Sequence, residues 1–301
     1  MNDATTTWTG GTEHWTKKGE VKLFLWNKRP AGKEPPAGTI LFVHGSSMAS
    51  QPTFDLQVPG RPHSSAMEYF AGLGYDTWTM DNEGYGRSDK SRPINCDIPN
   101  GADDLAAAAE YIDRKLLIYG ISSGALKAAL FAQRHPERVA RLALDAFVWT
   151  GEGSPTLAER RKKLPEFSAK NRRPIDRAFV KSIFTRDHPG TADEATISAF
   201  ADAILALDDS VPTGTYVDMC AKLPLVDPAK IPVPTLVMRG EYDGIAEFDD
   251  LVEFYKRLPH ADKQFSVMAG ISHASFQQKN YLTAYHILHA FFTQPEPVYR
   301  G

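Results

Sequence analysis

Short apolar runs recur along the chain, and stretches with a helical pattern separate most of them. Thr39–Val43 (TILFV) and Leu116–Tyr119 (LLIY) are apolar throughout, as is typical of strands that are covered on both faces of a sheet. Strands that alternate with helices predict an α/β fold with a mostly parallel, doubly wound sheet. In such sheets, binding and catalytic residues gather beyond the carboxyl ends of the strands.

The pattern predicts seven strands and five helices. The strands are Val21–Trp26, Thr39–Val43, Tyr75–Met80, Leu116–Tyr119, Arg141–Leu144, Thr235–Met238 and Gln264–Met268. The helices are Ser65–Leu73, Asp103–Ile112, Ala125–Leu130, Asp249–Leu258 and residues 280–293. The first strand is placed at Val21 because the residues before it are mostly polar.

Residues 151–215 interrupt this alternation, because they have a mostly helical pattern and no convincing strand. We therefore divide the chain into a first part of the core (1–150), a helical cap (151–215) and a second part of the core (216–301). The first half of the predicted cap is basic: Arg160, Arg161, Lys162, Lys163, Lys170, Arg172, Arg173 and Arg177. The simpler interpretation is a solvated helix face; the alternative is a set of cations that hold an acidic group of a substrate.

Composition narrows the class of protein. A chain of 301 residues with 42% hydrophobic and 24% charged residues is ordinary for a globular α/β protein. The net charge of −3 does not indicate a nucleic-acid partner. The polar N-terminus has no apolar signal-peptide core, and no run approaches the roughly 18 apolar residues of a membrane span. We expect a cytoplasmic protein in which Cys96 and Cys220 are free thiols.

Gly120–Gly124 (GISSG) lies between a predicted strand and a predicted helix. A serine at the centre of G-x-S-x-G in that setting sits on a sharp strand-to-helix turn, where its hydroxyl is exposed at the edge of the sheet. The flanking glycines remove Cβ atoms that would clash in the turn. Ser122 is therefore the candidate nucleophile, and Ser123 is expected to contribute its backbone N–H rather than its hydroxyl.

A serine nucleophile needs a general base, and His273 is the best candidate among nine histidines. It follows the last predicted strand in a glycine-containing loop. His44 directly follows a strand and is expected to shape its loop. His286 and His289 are three residues apart, but no third metal ligand accompanies them. The other histidines have no partner pattern: His14, His63, His135, His188 and His260.

The base in turn needs an orienting acid, and two aspartates qualify. Asp145 follows the strand Arg141–Leu144, and Asp243 follows the strand Thr235–Met238. Both are placed at the same edge of the sheet as Ser122. Asp243 is favoured because its strand directly precedes the strand that leads to His273, and Asp145 remains the alternative.

An oxyanion formed during acyl transfer needs hydrogen-bond donors. The Ser123 amide is one candidate. The loop after Val43 offers a second, from Ser46 or, less directly, from Ser47.

These segments together resemble the α/β-hydrolase superfamily, in its serine-hydrolase branch with a helical cap. The matching motifs are FVHGSS at 42–47, DNEGYGRSD at 81–89, GISSG at 120–124, HPERV at 135–139, RGEYD at 239–243 and GISHASF at 270–276. The resemblance implies Ser122 as nucleophile, His273 as base, Asp243 as acid, and the backbone N–H groups of Ser46 and Ser123 as oxyanion hole. The chain order serine, acid, histidine fits this fold, although Asp145 would keep the same order.

The resemblance implies a serine hydrolase that needs no cofactor or metal, most simply a carboxylesterase acting on a small-molecule ester. Dehalogenases and epoxide hydrolases of this fold carry an aspartate where this chain has Ser122, and many lipases have HGGG rather than HGSS. Lactone, amide or carbon–carbon bond hydrolysis and acyl transfer are alternatives on the same triad. A non-enzymatic ligand receptor is an alternative of another class. The oligomeric state stays open.

The substrate is not evident from the sequence, because its specificity would depend on the predicted cap. Four aromatic residues there and nearby are candidates for an apolar pocket or, more commonly, for core packing: Phe147, Trp149, Phe167 and Phe179.

Overall fold

The computed structural model describes residues 10–30 and 35–299. It contains ten strands in these ranges: β1 (Thr12–Lys18), β2 (Val21–Lys28), β3 (Thr39–Val43), β4 (Asp76–Met80), β5 (Leu116–Ile121), β6 (Val139–Asp145), β7 (Arg172–Pro174), β8 (Ser210–Pro212), β9 (Thr235–Gly240) and β10 (Lys263–Met268). Eight of them form one sheet in the order β1-β2-β4-β3-β5-β6-β9-β10. β2 is antiparallel to both of its neighbours, and the other six strands of the sheet after β2 (β4, β3, β5, β6, β9 and β10) run parallel. The predicted mostly parallel α/β sheet is confirmed.

Helices connect the strands and cover both faces of the sheet. They are α1 (Ser50–Phe54), α2 (Ala66–Gly72), α3 (Ile98–Ile112), α4 (Ser123–Arg134), α5 (Pro155–Arg161), α6 (Leu164–Ala169), α7 (Arg177–Thr185), α8 (Glu194–Leu205), α9 (Gly214–Ala221), α10 (Phe248–Arg257) and α11 (Tyr281–Phe292). None of these helices combines the length and the apolar character needed to cross a lipid bilayer.

The core lies on both faces of the sheet because consecutive residues of its central strands are apolar and buried. In β3, Leu41 and Val43 belong to one buried cluster, whereas Ile40 and Phe42 belong to another. Successive side chains of a strand point to opposite faces, so a continuous apolar run supplies both clusters. The carboxyl ends of β3, β5, β6 and β9 are thereby held side by side.

In the N-terminal half, the structure has a strand that was not predicted and a helix that begins earlier than predicted. A strand precedes Val21, because Thr12–Lys18 pairs antiparallel with β2 across a turn at Gly19. Its residues are exposed or half-buried, so no strong apolar pattern reveals it. Helix α3 begins at Ile98 rather than Asp103, because the Asp97 side chain accepts a hydrogen bond from the Asn100 amide and caps the helix there.

The segment from α5 to α9 (residues 155–221) lies between β6 and β9, and we call it the insert. It contains five helices, but the prediction that it has no strand is wrong. Arg172–Pro174 and Ser210–Pro212 form a small antiparallel pair. Each strand has only three residues and ends in proline, and the partners are far apart in sequence, so no local periodicity reveals them. The predicted cap boundary at residue 215 falls within α9.

Candidate active site

Ser122 occupies a sharp turn between β5 and α4. Its φ of 57° and ψ of −126° are rarely adopted by residues other than glycine. A Cβ atom on Gly124 would lie 2.3 Å from the carbonyl oxygen of Val43, and one on Gly120 would lie 2.5 Å from the carbonyl oxygen of Gly124. The turn therefore requires glycine at both flanking positions. It leaves Ser122 7% exposed at the edge of the sheet.

The loop after β3 runs directly against this turn. A Cβ atom on Gly45 would lie 3.2 Å from the Ser122 Cβ. His44 fixes the loop, because its Nε2 accepts a hydrogen bond from the Asn82 amide at 2.9 Å and its Nδ1 donates to the Gly45 carbonyl oxygen at 2.8 Å. Burial, together with the charge of Lys127, lowers the pKa of His44 well below its usual range. A neutral imidazole that shapes the loop is the role expected for His44.

The backbone N–H groups of Ser46 and Ser123 face no competing acceptor: in the ranges described above, neither donates a hydrogen bond. Both residues are buried, and Ser46 lines a small cavity together with Ser122 and His273. Ser123 is the first residue of α4, where amides have no partner within the helix. The hydroxyl of Ser47 is used elsewhere, since it accepts a hydrogen bond from Arg173 Nη2 at 2.6 Å.

His273 lies beside Asp243, with 2.9 Å between Nδ1 and the carboxylate Oδ2. The other carboxylate oxygen of Asp243 accepts a hydrogen bond from the Ile245 amide at 3.0 Å. Burial by itself raises the pKa of Asp243, but the charge and hydrogen bond of His273 outweigh it and bring the pKa to about 2. Asp243 is thus ionised and holds the ring so that Nε2 is left for the cavity.

The loop that follows His273 is fastened by Arg61. Its guanidinium donates hydrogen bonds to the carbonyl oxygens of Phe276, Gln277 and Gln278, at 2.7 to 3.2 Å. A fourth hydrogen bond, of 2.8 Å, reaches the Thr196 hydroxyl on α8. The histidine loop is therefore bound to both the core and the insert.

Asp145, the alternative acid, has a different environment. Its Oδ2 accepts a hydrogen bond from the Tyr119 hydroxyl at 2.6 Å, and the residue is fully buried. Burial raises the pKa of Asp145 to about 7, and the nearby charge of Asp243 acts in the same direction. Among the described residues, no histidine forms a hydrogen bond with Asp145. The structure therefore pairs His273 with Asp243 alone.

A cavity of about 870 Å³ lies beneath the insert, within the size range of small-molecule sites. Phe167 and Phe179 line it, whereas Phe147 and Trp149 pack in the core. Three residues line both this cavity and the small cavity at Ser122: Arg160, Arg186 and Tyr216. The large cavity thus reaches the edge of the Ser122 site.

Some basic residues of the insert line a cavity, and others lie on a solvated helix face. Arg160, Lys163 and Arg173 line the large cavity. By contrast, Lys162 pairs with Glu159 and Arg177 pairs with Asp202 on the exposed surface. Arg186 and Tyr216 were not among the candidates from the sequence, because neither belongs to a motif and only the packing of the insert brings them to Ser122.

The part of the chain that the structure describes contains no group of three or more His, Cys, Asp or Glu side chains able to hold a metal ion. In that same part, Cys96 and Cys220 are buried free thiols.

Comparison with known proteins gives a family. The model of the family described as serine aminopeptidase (S33) matches residues 34–280, which is most of the chain.

Solved structures of the same fold include a soluble variant of monoglyceride lipase from Saccharomyces cerevisiae, determined with a substrate analog. It is 18% identical, with a TM-score of 0.71 and coverage of 97% of each chain. An esterase from Exiguobacterium antarcticum is 17% identical, with a TM-score of 0.70 and coverage of 94% of this chain and 100% of the esterase. A membrane phospholipase A is 20% identical, with a TM-score of 0.68 and coverage of 94% and 86%. At these identities the likeness shows the fold.

Proposed function

The chain belongs to the serine aminopeptidase family of α/β hydrolases, and on that premise we propose that it hydrolyses carboxylic esters of small molecules through an acyl-enzyme on Ser122. The observation that carries this proposal is the His273–Asp243 pair beside the strained Ser122 turn, with Ser122 and His273 lining one small cavity. The same arrangement of nucleophile, base and orienting acid supports acyl transfer on unrelated folds.

In the proposed mechanism, the Ser122 hydroxyl attacks the ester carbonyl carbon while His273 Nε2 accepts its proton. The carbonyl oxygen becomes an oxyanion that the amides of Ser46 and Ser123 stabilise, each donor contributing about 3 kcal/mol. When the carbon–oxygen bond of the ester breaks, His273 returns the proton to the leaving alcohol. A water molecule, deprotonated by the same imidazole, then attacks the acyl-enzyme, releases the acid and restores Ser122.

Asp243 contributes by keeping a negative charge next to the imidazole. Because its pKa is about 2, the carboxylate is ionised throughout the neutral range. It fixes Nδ1 as the protonated nitrogen and stabilises the imidazolium that forms during each proton transfer.

The test is the Ser122→Ala variant, assayed with p-nitrophenyl esters of increasing chain length. We expect kcat to fall by at least about 10⁴-fold, since loss of the nucleophile in a triad has effects of this size. A fluorophosphonate should label the wild-type protein and fail to label the variant. Ser168→Ala, an exposed serine on α6, serves as the matched control and should retain full activity.

Two outcomes would contradict the proposal. Wild-type turnover in the Ser122→Ala variant would remove Ser122 as the nucleophile. Labelling of Ser122 without turnover of any ester would instead favour the ligand-receptor alternative.

Amide hydrolysis is the second candidate, because the matching family is described as a serine aminopeptidase. Aminoacyl p-nitroanilides distinguish it from ester hydrolysis. The ester proposal expects kcat/KM to be higher for p-nitrophenyl esters than for p-nitroanilides with the same acyl group, beyond the ratio of their uncatalysed rates.

A further inference from the structure

Three guanidinium groups gather where the large cavity meets the Ser122 site. Arg160 comes from α5, Arg173 from β7 and Arg186 from the residue that follows α7. All three line the large cavity, and Arg160 and Arg186 also line the small cavity that contains Ser122. Packing within the insert therefore brings separate parts of the chain together as one group, which we call the arginine cluster.

Acidic side chains neutralise only part of this cluster. Arg186 Nε lies 3.3 Å from Asp187 Oδ2, but Arg160 and Arg173 form no ion pair with any described residue. Within the same residues, Arg173 Nε and Arg186 Nη2 are buried and have no hydrogen-bond partner. Buried N–H groups without an acceptor are costly, so these two groups, next to arginines that lack an ion pair, are suited to an anion that arrives with a ligand.

Among the carboxylates that line the large cavity, Asp187 forms the ion pair with Arg186. Glu159, Glu166 and Glu241 are exposed and Glu247 is half-buried, and none of the four lines the small cavity at Ser122. The charge of Asp243 also interacts with Arg186, but the hydrogen bonds of its carboxylate go to His273 and to the Ile245 amide. Arg160 and Arg173 therefore have no carboxylate partner among the described residues.

Tyr216 lies within the positive charge of these arginines. Its ring lies 4.5 Å from the Arg160 guanidinium and 4.2 Å from that of Arg173, and its hydroxyl is 3.3 Å from Ser47 Oγ. Burial would raise the pKa of Tyr216, yet the neighbouring arginines lower it to about 7. Guanidinium planes that stack on aromatic rings keep their N–H edges for in-plane acceptors, and a carboxylate matches such an edge with two parallel hydrogen bonds.

We propose that the arginine cluster binds a carboxylate of the substrate, so that the preferred ester carries a free carboxylate besides the bond that is cleaved. This inference rests on the proposed function, because it places the carboxylate relative to an ester at Ser122. The cluster binds a group that does not change during the reaction. Its loss should therefore raise KM more than it lowers kcat.

The first arm of the test compares esters that differ by one charge. In p-nitrophenyl hemiglutarate the free carboxylate is on the acyl side of the cleaved ester, and in 4-acetoxybenzoate it is on the alcohol side. The methyl ester of each compound is the neutral member of its pair. We expect the wild-type protein to prefer the charged member of one pair by at least about tenfold in kcat/KM, and the pair that shows the preference identifies the side. Equal or better turnover of the neutral member in both pairs would overturn the proposal.

The second arm uses Arg160, because in the described ranges it donates no hydrogen bond to the loop that carries Ser46, whereas Arg173 does. Arg160→Met should reduce the preference for the charged ester at least about tenfold, mainly through KM, and should change turnover of the neutral ester much less. Arg160→Lys should restore part of the preference. Arg177→Met, which removes an exposed arginine of the same insert, is the matched control and should change neither ester. An unchanged preference in Arg160→Met would contradict the assignment.

A third arm separates this inference from the proposed function. Glutarate is titrated by calorimetry into the Ser122→Ala variant, with and without Arg160→Met, at low and high salt. Saturable binding that weakens with Arg160→Met supports the carboxylate site even if no ester is hydrolysed. Hydrolysis of neutral esters without any glutarate binding would refute the carboxylate site and leave the proposed function intact.

Discussion

Two aspartates at neighbouring strand ends have pKa values that are shifted in opposite directions. Asp145 ends β6 and Asp243 follows β9, its parallel neighbour, and both are almost completely buried. Yet the pKa of Asp145 is raised to about 7, whereas that of Asp243 is lowered to about 2. The same secondary-structure position thus yields one carboxyl group that holds its proton near neutrality and one that is permanently ionised.

The difference lies in what each carboxyl group touches. Asp243 contacts the His273 imidazole and a backbone amide, which both stabilise its charge. Asp145 has the Tyr119 hydroxyl as a donor and the charge of Asp243 nearby, and its Oδ1 has no partner among the described residues. Since burial and position are the same for both, the neighbouring groups decide which of these two carboxyl groups is charged. Two carboxyl groups whose pKa values differ in this way are suited to different roles.

The largest expected contrast is in activity. Asp243→Asn removes the charge that orients His273 and should lower kcat by about 10⁴-fold, as loss of the corresponding aspartate does in other triad enzymes. Asp145→Asn replaces a group without a histidine partner and should change kcat less than about tenfold. Steady-state kinetics on the best p-nitrophenyl ester measures both. A larger loss in Asp145→Asn would make Asp145 the functional acid after all.

The next contrast is the dependence of stability on pH. Because the pKa of Asp145 is higher in the folded than in the unfolded protein, folding binds a proton, and stability falls as pH rises towards about 7. The asparagine in Asp145→Asn does not titrate. The difference in free energy of unfolding between the variant and the wild type should therefore shift in favour of the variant by up to about 1.4 kcal/mol per pH unit between pH 5 and 7.

Denaturation in urea at pH 5, 6, 7 and 8 gives this difference directly. Asp243 does not contribute in that window, because its pKa is about 2 and the carboxylate is ionised throughout. Parallel pH profiles for wild type and Asp145→Asn would show that Asp145 does not retain its proton in the folded protein.

The smallest contrast concerns the donor to Asp145. Tyr119→Phe removes the hydroxyl at 2.6 Å from Asp145 Oδ2 and should lower the free energy of unfolding by about 1–2 kcal/mol at pH 8. Activity should change little, since Tyr119 contacts none of the three proposed catalytic residues by a hydrogen bond. Tyr75→Phe, whose hydroxyl meets His289 Nδ1 at a longer 3.2 Å, is the control and should cost less. Equal losses in the two variants would show that the Tyr119–Asp145 hydrogen bond stabilises the fold no more than the Tyr75–His289 contact does.

The same comparison shows what the sequence can and cannot predict. The Ser122 turn and the loop at His44 are local, since a few residues determine each through glycine positions and strand ends. The sequence therefore placed Ser122, Asp145, Asp243 and His273 at one edge of the sheet. It favoured Asp243 and kept Asp145 as the alternative, because only the folded chain shows which of them meets the imidazole.

The parts that sequence patterns missed depend on contacts between distant segments. The β7–β8 pair joins residues 172–174 to 210–212, and β1 is an exposed strand with little apolar signal. Arg186 and Tyr216 belong to different helical regions of the insert, and their meeting near Ser122 follows from how those helices pack. A substrate preference would be the last property to be read from sequence, because it depends on such meetings.

Arg61 connects the insert to the loop that follows His273. Three of its four hydrogen bonds go to consecutive carbonyl oxygens behind His273, and one goes to Thr196 on α8. Two further contacts join the same segments: the Thr191 hydroxyl lies 3.0 Å from Ser272 Oγ, and the Lys279 amide donates to the Thr191 carbonyl oxygen at 2.8 Å. Because these contacts lie on both sides of His273, a displacement of the insert would be transmitted to the proposed general base.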